Sequence, residues 1–205
     1  PARLISIRTQ SVFPLPWAAQ LGGILSRCTG CEHLLAYEKA SGLPLPCGAL
    51  NKYCGQAVAE QAVLLWMALL RKLPLQLNQF STFQRDGLTG SECAGRTLLV
   101  VGVGDIGHRI AHIAIGLGMK ALGVDLVKKY DPIQYTTLET ALPIADIIVC
   151  AMNLTPQNQK YFCYDTLHNA KKNAIFINIA RGEFAPLADL ARLLDEGILG
   201  GIGLD

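Results

Sequence analysis

The sequence is short of charge. Asp, Glu, Lys and Arg make up 17% of its 205 residues and leave a net charge of +2. No Lys/Arg cluster exceeds a pair, so the chain has no dedicated nucleic-acid surface. It has no long hydrophobic run. The longest purely apolar stretch, Ala62 to Leu70, is about half of a membrane span. No basic segment followed by an apolar one opens the chain, so nothing points to secretion. Neither an internal repeat nor a low-complexity tract is present.

What remains is apolar: 51% of the residues are hydrophobic, enough to bury a substantial core. Seven cysteines without an export signal are expected to be free thiols in a reducing cytoplasm. Cys28-x-x-Cys31, with His33, Cys47 and Cys54, has some of the residue types of a metal site. A lone C-x-x-C is modest evidence, and no metal is expected. The chain starts at Pro1 and stops at Asp205, straight after an apolar run, so a fragment of a longer protein is expected.

The most informative stretch is Thr97 to Asp125. Leu98 to Val101 is an apolar run of strand length, buried on both faces. Gly102-Val103-Gly104-Asp105-Ile106-Gly107 follows as G-x-G-x-x-G. Next, Ile106, Ile110, Ile113, Ala114 and Leu117 recur at helical spacing, with His108, Arg109 and His112 on the other face. Gly118 can end that helix. A second apolar run, Ala121 to Val124, finishes on Asp125. Each glycine has a physical task. Gly102 allows the tight turn, Gly104 lets a pyrophosphate approach the backbone, and Gly107 lets helix and strand pack closely. The helix start offers unpaired N–H groups to phosphate, and Asp125 can accept from a ribose 2′-hydroxyl. Strand, glycines, helix, strand and acid in this order predict a dinucleotide site.

Elsewhere, short strands are expected at Arg3 to Ile7 and Gly23 to Ser26. A helix is expected from His33 to Ala40, and loop from Pro44 to Cys54. Ala57 to Lys72 is apolar on nearly every face, so a helix buried all round is expected, between domains or subunits, with Pro74 ending or kinking it. Leu75 to Gly95 reads as a polar connector. Leu138 to Leu142 reads as a short helix, Asn153 to Gln159 as polar loop. Asp146 to Ala151, Ala174 to Ile179 and Ile198 to Leu204 read as strands. Pro186 to Asp195 reads as a helix with Pro at its start and Gly197 after its end. Alternating strands and helices predict an α/β class with a parallel sheet.

With Asn178-Ile179-Ala180-Arg181-Gly182, the chain resembles the D-2-hydroxyacid dehydrogenase family. Four segments carry the resemblance in order. They are the loop RCTGCEH from Arg27 to His33, and Tyr53 to Glu60 with its V-A-E ending. Then come GVGDIG with Asp125, and NIARGEF followed by a helix and GIGLD. The resemblance implies a doubly wound Rossmann domain plus part of a flavodoxin-like substrate domain. The expected divisions are 1–56 for the partial substrate domain, 57–84 for an interdomain and dimerisation helix with its connector, and 85–205 for an incomplete NAD-binding domain.

It also implies an activity. The reading is an NAD-dependent oxidoreductase interconverting a small 2-keto acid and a D-2-hydroxy acid. An NAD-sensing, partner-binding corepressor of the same fold is the alternative. Thr29 and Gly30 would hold the substrate carboxylate, with Tyr53 nearby. Arg181 would be the catalytic, substrate-binding arginine, its planar fork suited to a carboxylate. Gly102, Gly104, Asp105, Ile106 and Gly107 would meet the pyrophosphate and Asp125 the adenosine ribose. Met152, Asn153 and Asn158 follow the next strand. Ile179, Ala180, Arg181 and Asp205 would lie at the nicotinamide end. A carboxylate at 125 favours NAD over NADP, and Lys128 and Lys129 read as solvated loop charges. A homodimer is implied. The family's catalytic glutamate and histidine would both lie beyond Asp205, so these residues alone are not expected to turn over. None of the four histidines present fits the acid/base role, and His33 alone is near the substrate loop.

Overall fold

Along one strand, Leu98 and Val100 enter one layer of buried side chains, while Leu99 and Val101 enter another. Such two-sided burial follows from the period of two along a strand and requires cover on both faces. The computed structural model describes residues 3–8, 10–28, 30–50, 52–84 and 86–205, with the backbone alone at Glu32. They form two compact units, Pro1–Cys54 and Gly55–Asp205.

The first unit is a small parallel sheet. Strands β1 (Leu4–Ile7), β2 (Gly23–Ser26) and β3 (Cys47–Ala49) lie in that order, with Leu4 opposite Gly23 and Ile24 opposite Cys47. A 3-10 turn at Leu15–Gln20 and helix α1 (Glu32–Ser41) complete it. Gly42 ends α1 in the left-handed region at φ 67°, its N–H donating to the Glu38 carbonyl. Ile7, Ala18, Ile24, Leu34 and Leu45 are the buried core. Strand β3 corrects the expected loop from Pro44 to Cys54. Its three residues are too few to show a period, and only pairing with β2 reveals them.

The second unit opens with helix α2 (Gly55–Leu70) and helix α3 (Leu73–Gln79). Gly55, Ala59, Ala62, Trp66 and Leu70 form the buried stripe of α2, at helical spacing. The opposite face carries Leu64, 57% exposed, so within this chain the helix is buried on one side and not all round. Pro74 neither kinks α2 nor ends it. The helix stops at Leu70, and Pro74 sits in the first turn of α3, where a missing N–H breaks no helical bond. The connector expected from Leu75 onward is therefore helical as far as Gln79.

The remaining strands are β4 (Thr97–Val101), β5 (Lys120–Val124), β6 (Gln134–Tyr135), β7 (Ile147–Cys150), β8 (Ala174–Asn178) and β9 (Leu199–Leu204). All are parallel, in the order β6-β5-β4-β7-β8-β9. This is the doubly wound 3-2-1-4-5-6 arrangement, whose order reverses between β4 and β7. Helices α4 (Asp105–Gly116) and α2 cover one face, through Trp66, Ile110 and Ala114. Helix α7 (Leu187–Asp195) covers the other through Leu190 and Leu193, beside Phe162, Phe176 and Phe184. Two helical pieces, α5 (Leu138–Ala141) and α6 (Tyr164–Leu167), lie between them in sequence. No helix among the described residues is long and apolar enough to cross a membrane.

Candidate functional site

In a parallel sheet all strand C-termini lie on one edge, and ligands bind where the strand order reverses. The sequence-predicted residues of the second unit lie at that edge, after β4, β5, β7, β8 and β9. The turn after β4 is the tightest part. Gly102 has φ 93°, a conformation that L side chains rarely adopt, and its N–H donates to the Val124 carbonyl at 2.9 Å. A Cβ there would come within 2.7 Å of the Ala151 carbonyl carbon and oxygen. At Gly107 a Cβ would overlap the Gly102 carbonyl oxygen, so this glycine lets α4 start against the turn. Gly104 differs: nothing lies within 4 Å of where its Cβ would be.

Gly104 is also the N-cap of α4 and has no side chain with which to cap the first turn. The amides of Asp105 and Ile106 therefore start a helix whose leading N–H groups take no bond from the cap residue, a positively polarised end suited to an anion. His108 Nδ1 lies 2.9 Å from the Gly104 carbonyl, and its ring stacks on Tyr130 with centroids 4.1 Å apart.

Asp125 holds this turn from the next strand. Its Oδ2 accepts from the Val103 N–H at 2.6 Å and its Oδ1 from the Val127 N–H at 3.0 Å. Each oxygen keeps a further lone pair for a hydroxyl donor. After β7, Met152 is half-buried. Asn158 Nδ2 donates to the Asn153 carbonyl at 2.9 Å, and its Oδ1 accepts from the Thr155 N–H at 2.7 Å, so Asn158 shapes this loop.

The turn after β8 is built by Asn178, which sequence reasoning missed. It is buried. Its Oδ1 accepts from the Ala180 N–H at 3.0 Å and its Nδ2 donates to the Arg181 carbonyl at 2.7 Å. Ile179 is buried as well, whereas Ala180 and Arg181 are half-buried. Arg181 Nη1 donates back to the Ala180 carbonyl at 2.9 Å. Asp205 closes the edge: its N–H donates to the Asn178 carbonyl, and its Oδ1 accepts from Gln61 Nε2 at 3.3 Å.

In the first unit, Thr29 lies outside the described residues. Gly30 is half-buried in the loop after β2. The exposed Tyr53 hydroxyl donates to the Arg27 carbonyl. Partial desolvation, then neighbouring Cys54 and Cys28, hold its phenol above the ordinary value. Ser26 Oγ, fully buried, meets His33 Nε2 at 3.0 Å and accepts from the Cys28 N–H at 3.3 Å. His33 therefore braces this loop. Among the described residues, no group of three or more His, Cys, Asp or Glu side chains is placed to hold a metal ion.

The family described as "D-isomer specific 2-hydroxyacid dehydrogenase, NAD binding domain" matches residues 63–205. The chain belongs to that family. Its NAD-binding domain is the six-stranded sheet with its glycine turn. Among similar sequences, a D-lactate dehydrogenase from Curvularia clavata is 33% identical, over 92% of this chain and 56% of its own length. A glycerate dehydrogenase from Methylorubrum extorquens is 37% identical, over 83% of this chain and 55% of its own. A D-lactate dehydrogenase from Aquifex aeolicus, solved in complex with NAD and lactic acid, superimposes with a TM-score of 0.88 at 27% identity. That match covers 100% of this chain and 64% of that one. The family member described here thus spans somewhat over half the length of the curated relatives it matches.

The residues that sequence reasoning missed share one character. Val103, Val127 and Asn178 act through backbone amides or backbone-directed bonds. Asn178 had a local signal, a polar residue ending an otherwise apolar strand.

Proposed function

We propose that this chain is the NAD-binding part of a D-2-hydroxyacid dehydrogenase, an oxidoreductase interconverting a small 2-keto acid and its D-2-hydroxy acid. The observation that carries the reading is the uncapped first turn of α4 behind Gly104, with Asp125 beside it at the end of β5. Open space over one glycine, unpaired N–H groups and an acid with spare lone pairs fit a diphosphate joined to a ribose.

When bound, NAD supplies hydride chemistry at its nicotinamide ring. The chain's residues bind and orient. Gly102 and Gly107 hold the turn in shape, and the amides of Asp105 and Ile106 face the diphosphate. Asp125 accepts from the adenosine ribose. A carboxylate at that position repels a 2′-phosphate, which favours NAD over NADP. Ile179, Ala180 and Asp205 form the nicotinamide end, with Met152, Asn153 and Asn158 on the neighbouring loop.

Arg181 is the substrate arginine of this reading. Its guanidinium pairs a carboxylate with two parallel bonds and draws charge from the adjacent carbonyl. Thr29 and Gly30, in a flavodoxin-like domain, hold the substrate carboxylate through their backbone amides, with Tyr53 nearby. The proton is handled by a histidine outside these residues. Each histidine here is engaged by its own neighbours: His33 by Ser26, His108 by Tyr130, His112 by the Asp131 carbonyl and His168 by the Tyr164 ring. A homodimer completes the proposal, a second copy covering the outward apolar side chains of α2 and α3.

The test uses the full-length protein. Arg181→Ala should lose most of kcat/KM on every member of a 2-keto acid panel, followed by NADH absorbance. Near-normal activity on any of them refutes the assignment of Arg181.

A further inference from the structure

An acid is an unexpected residue at the mouth of a diphosphate site. Asp105 is the first residue of α4, in the turn where the cofactor's two negative charges are placed. At short range a carboxylate repels a phosphate, and weakly screened surroundings strengthen the repulsion. Nor does Asp105 stand at the cap: that position is Gly104, and Asp105 is the first helical residue after it.

Its carboxylate goes elsewhere. Oδ1 pairs with Arg109 Nη2 at 3.4 Å, one turn along the helix. Oδ2 is turned into the protein, is shielded from solvent, and has no hydrogen-bond partner among the described residues; the same holds for Arg109 Nε. Both groups lie against Gly55, the first residue of α2. A Cβ on Gly55 would overlap Asp105 Oδ2 and come within 3.0 Å of Arg109 Nε and 3.4 Å of Arg109 Cδ. Gly55 has no positive φ, so its backbone does not require glycine. A helix would otherwise gain from alanine there. What a side chain at 55 would displace is the acid and the arginine, which fill the space beside it.

We propose that Gly55, Asp105 and Arg109 form a charge-neutralised recess that draws the Asp105 carboxylate away from the bound diphosphate, making all three positioning residues for the cofactor. The inference rests on the NAD reading given above. Arg109 cancels the charge of the acid, Gly55 leaves room for it, and the helix amides stay available to phosphate. Arg109 itself need not touch the cofactor.

The experiment is NADH binding to the chain, read by nicotinamide fluorescence at low salt and at roughly 0.5 M salt, where charge effects are screened within a few ångströms. Arg109→Gln should weaken binding about tenfold at low salt, as one uncompensated charge beside a diphosphate does, and much less at high salt. Adding Asp105→Asn to that variant should restore the wild-type Kd to within about twofold, since the repelling charge is gone. Arg109→Lys, which keeps the charge, should bind nearly as the wild type. Gly55→Ala should weaken binding in the wild-type background and leave it unchanged alongside Asp105→Ser, whose short side chain clears the new methyl. Thermal melts confirm that each variant is folded.

A double variant Asp105→Asn/Arg109→Gln as weak as Arg109→Gln alone overturns the proposal, because Arg109 would then act on the nucleotide directly. Unchanged NADH binding in Arg109→Gln and Gly55→Ala overturns it as well and leaves the cofactor reading intact. A wild-type chain that fails to bind NADH at millimolar concentration removes both.

Discussion

Asp125 Oδ2 accepts a hydrogen bond from the Val103 N–H at 2.6 Å, across 22 residues of sequence. The acid proposed to read the ribose is thereby also a strut for the glycine turn, and its second oxygen ties down the loop at Val127. In the proposed function, recognition of the sugar and the shape of the glycine turn depend on one carboxylate.

Replacing it should therefore do more than alter nucleotide preference. Asp125→Ala leaves the Val103 and Val127 N–H groups without their acceptors, at a cost of about 1–3 kcal/mol for each that stays buried. NADH binding should weaken by about tenfold or more, and the melting temperature should fall with it. Asp125→Ser keeps one short acceptor and removes the charge. It should lose less stability and narrow the gap between NADH and NADPH, measured as the ratio of their Kd values. An unchanged melting temperature in Asp125→Ala rules out the strut.

At the opposite edge of the sheet, Asp146 precedes β7 and gathers three partners. They are Lys171 Nζ at 2.8 Å, the Thr97 N–H at 2.9 Å and Arg96 Nη1 at 3.1 Å. Burial pushes its carboxyl up, but Lys171, the Thr97 amide and Arg96 together outweigh burial and hold it below the ordinary value. A depressed folded pKa contributes stability that is complete above the unfolded value. That stability is lost as pH falls through the folded one. Wild type should exceed Asp146→Asn by about 1–3 kcal/mol in urea unfolding at pH 7. The difference should shrink below about pH 4, where the unfolded carboxyl titrates. A difference independent of pH would mean that packing, not charge, accounts for it.

Leu64 on α2, Leu77 on α3 and Phe80 directly after α3 are 57%, 66% and 74% exposed. Exposed large apolar side chains of this kind are what the proposed second copy would cover. For the proposed homodimer, light scattering should report twice the 22.1 kDa chain mass. Leu77→Glu combined with Phe80→Glu should shift the population to monomer, because a carboxylate in a closed apolar interface is costly. A wild-type chain that stays monomeric at tens of micromolar removes the dimer from the proposal, that concentration being above the Kd of a stable interface.

Strands β4, β7 and β8 were legible in the sequence to within a residue or two. Unbroken apolar runs such as Leu98 to Val101 have one stable place, a strand covered on both faces. Helix α4 was equally plain from its spacing. The short elements were not. Gln134–Tyr135 and Cys47–Ala49 carry no period and exist because a neighbouring strand offers hydrogen bonds. Tyr164–Leu167 is a single helical turn. The glycines of the site were legible because turn, approach and packing each require them locally. Partners were not. Gly55 gives no sign in the sequence that its missing side chain makes room for Asp105, and nothing near Asp125 announces Val103 as its donor.

The turn that presents Arg181 depends on Asn178. Both ends of its amide are used inside four residues, Oδ1 on the Ala180 N–H and Nδ2 on the Arg181 carbonyl. At neutral pH a side-chain amide can accept and donate at those two places, whereas an ionised carboxylate only accepts. Asn178→Ala should cost about 1–3 kcal/mol, because two backbone groups lose their partners in a buried setting. Asn178→Asp should cost more at neutral pH. It keeps the bond to Ala180 but sets a carboxylate oxygen against the Arg181 carbonyl, and burial adds to the penalty. Protonation supplies the missing donor, so the stability of Asn178→Asp relative to wild type should recover as pH falls and worsen as it rises. In the full-length protein both substitutions should lower kcat/KM on 2-keto acids while leaving NADH affinity within a few-fold, since α4 and Asp125 are untouched. The checks are urea unfolding across pH and the ratio of the two kinetic effects. Equal losses in NADH binding and turnover would show that Asn178 supports the whole edge and not the Arg181 turn.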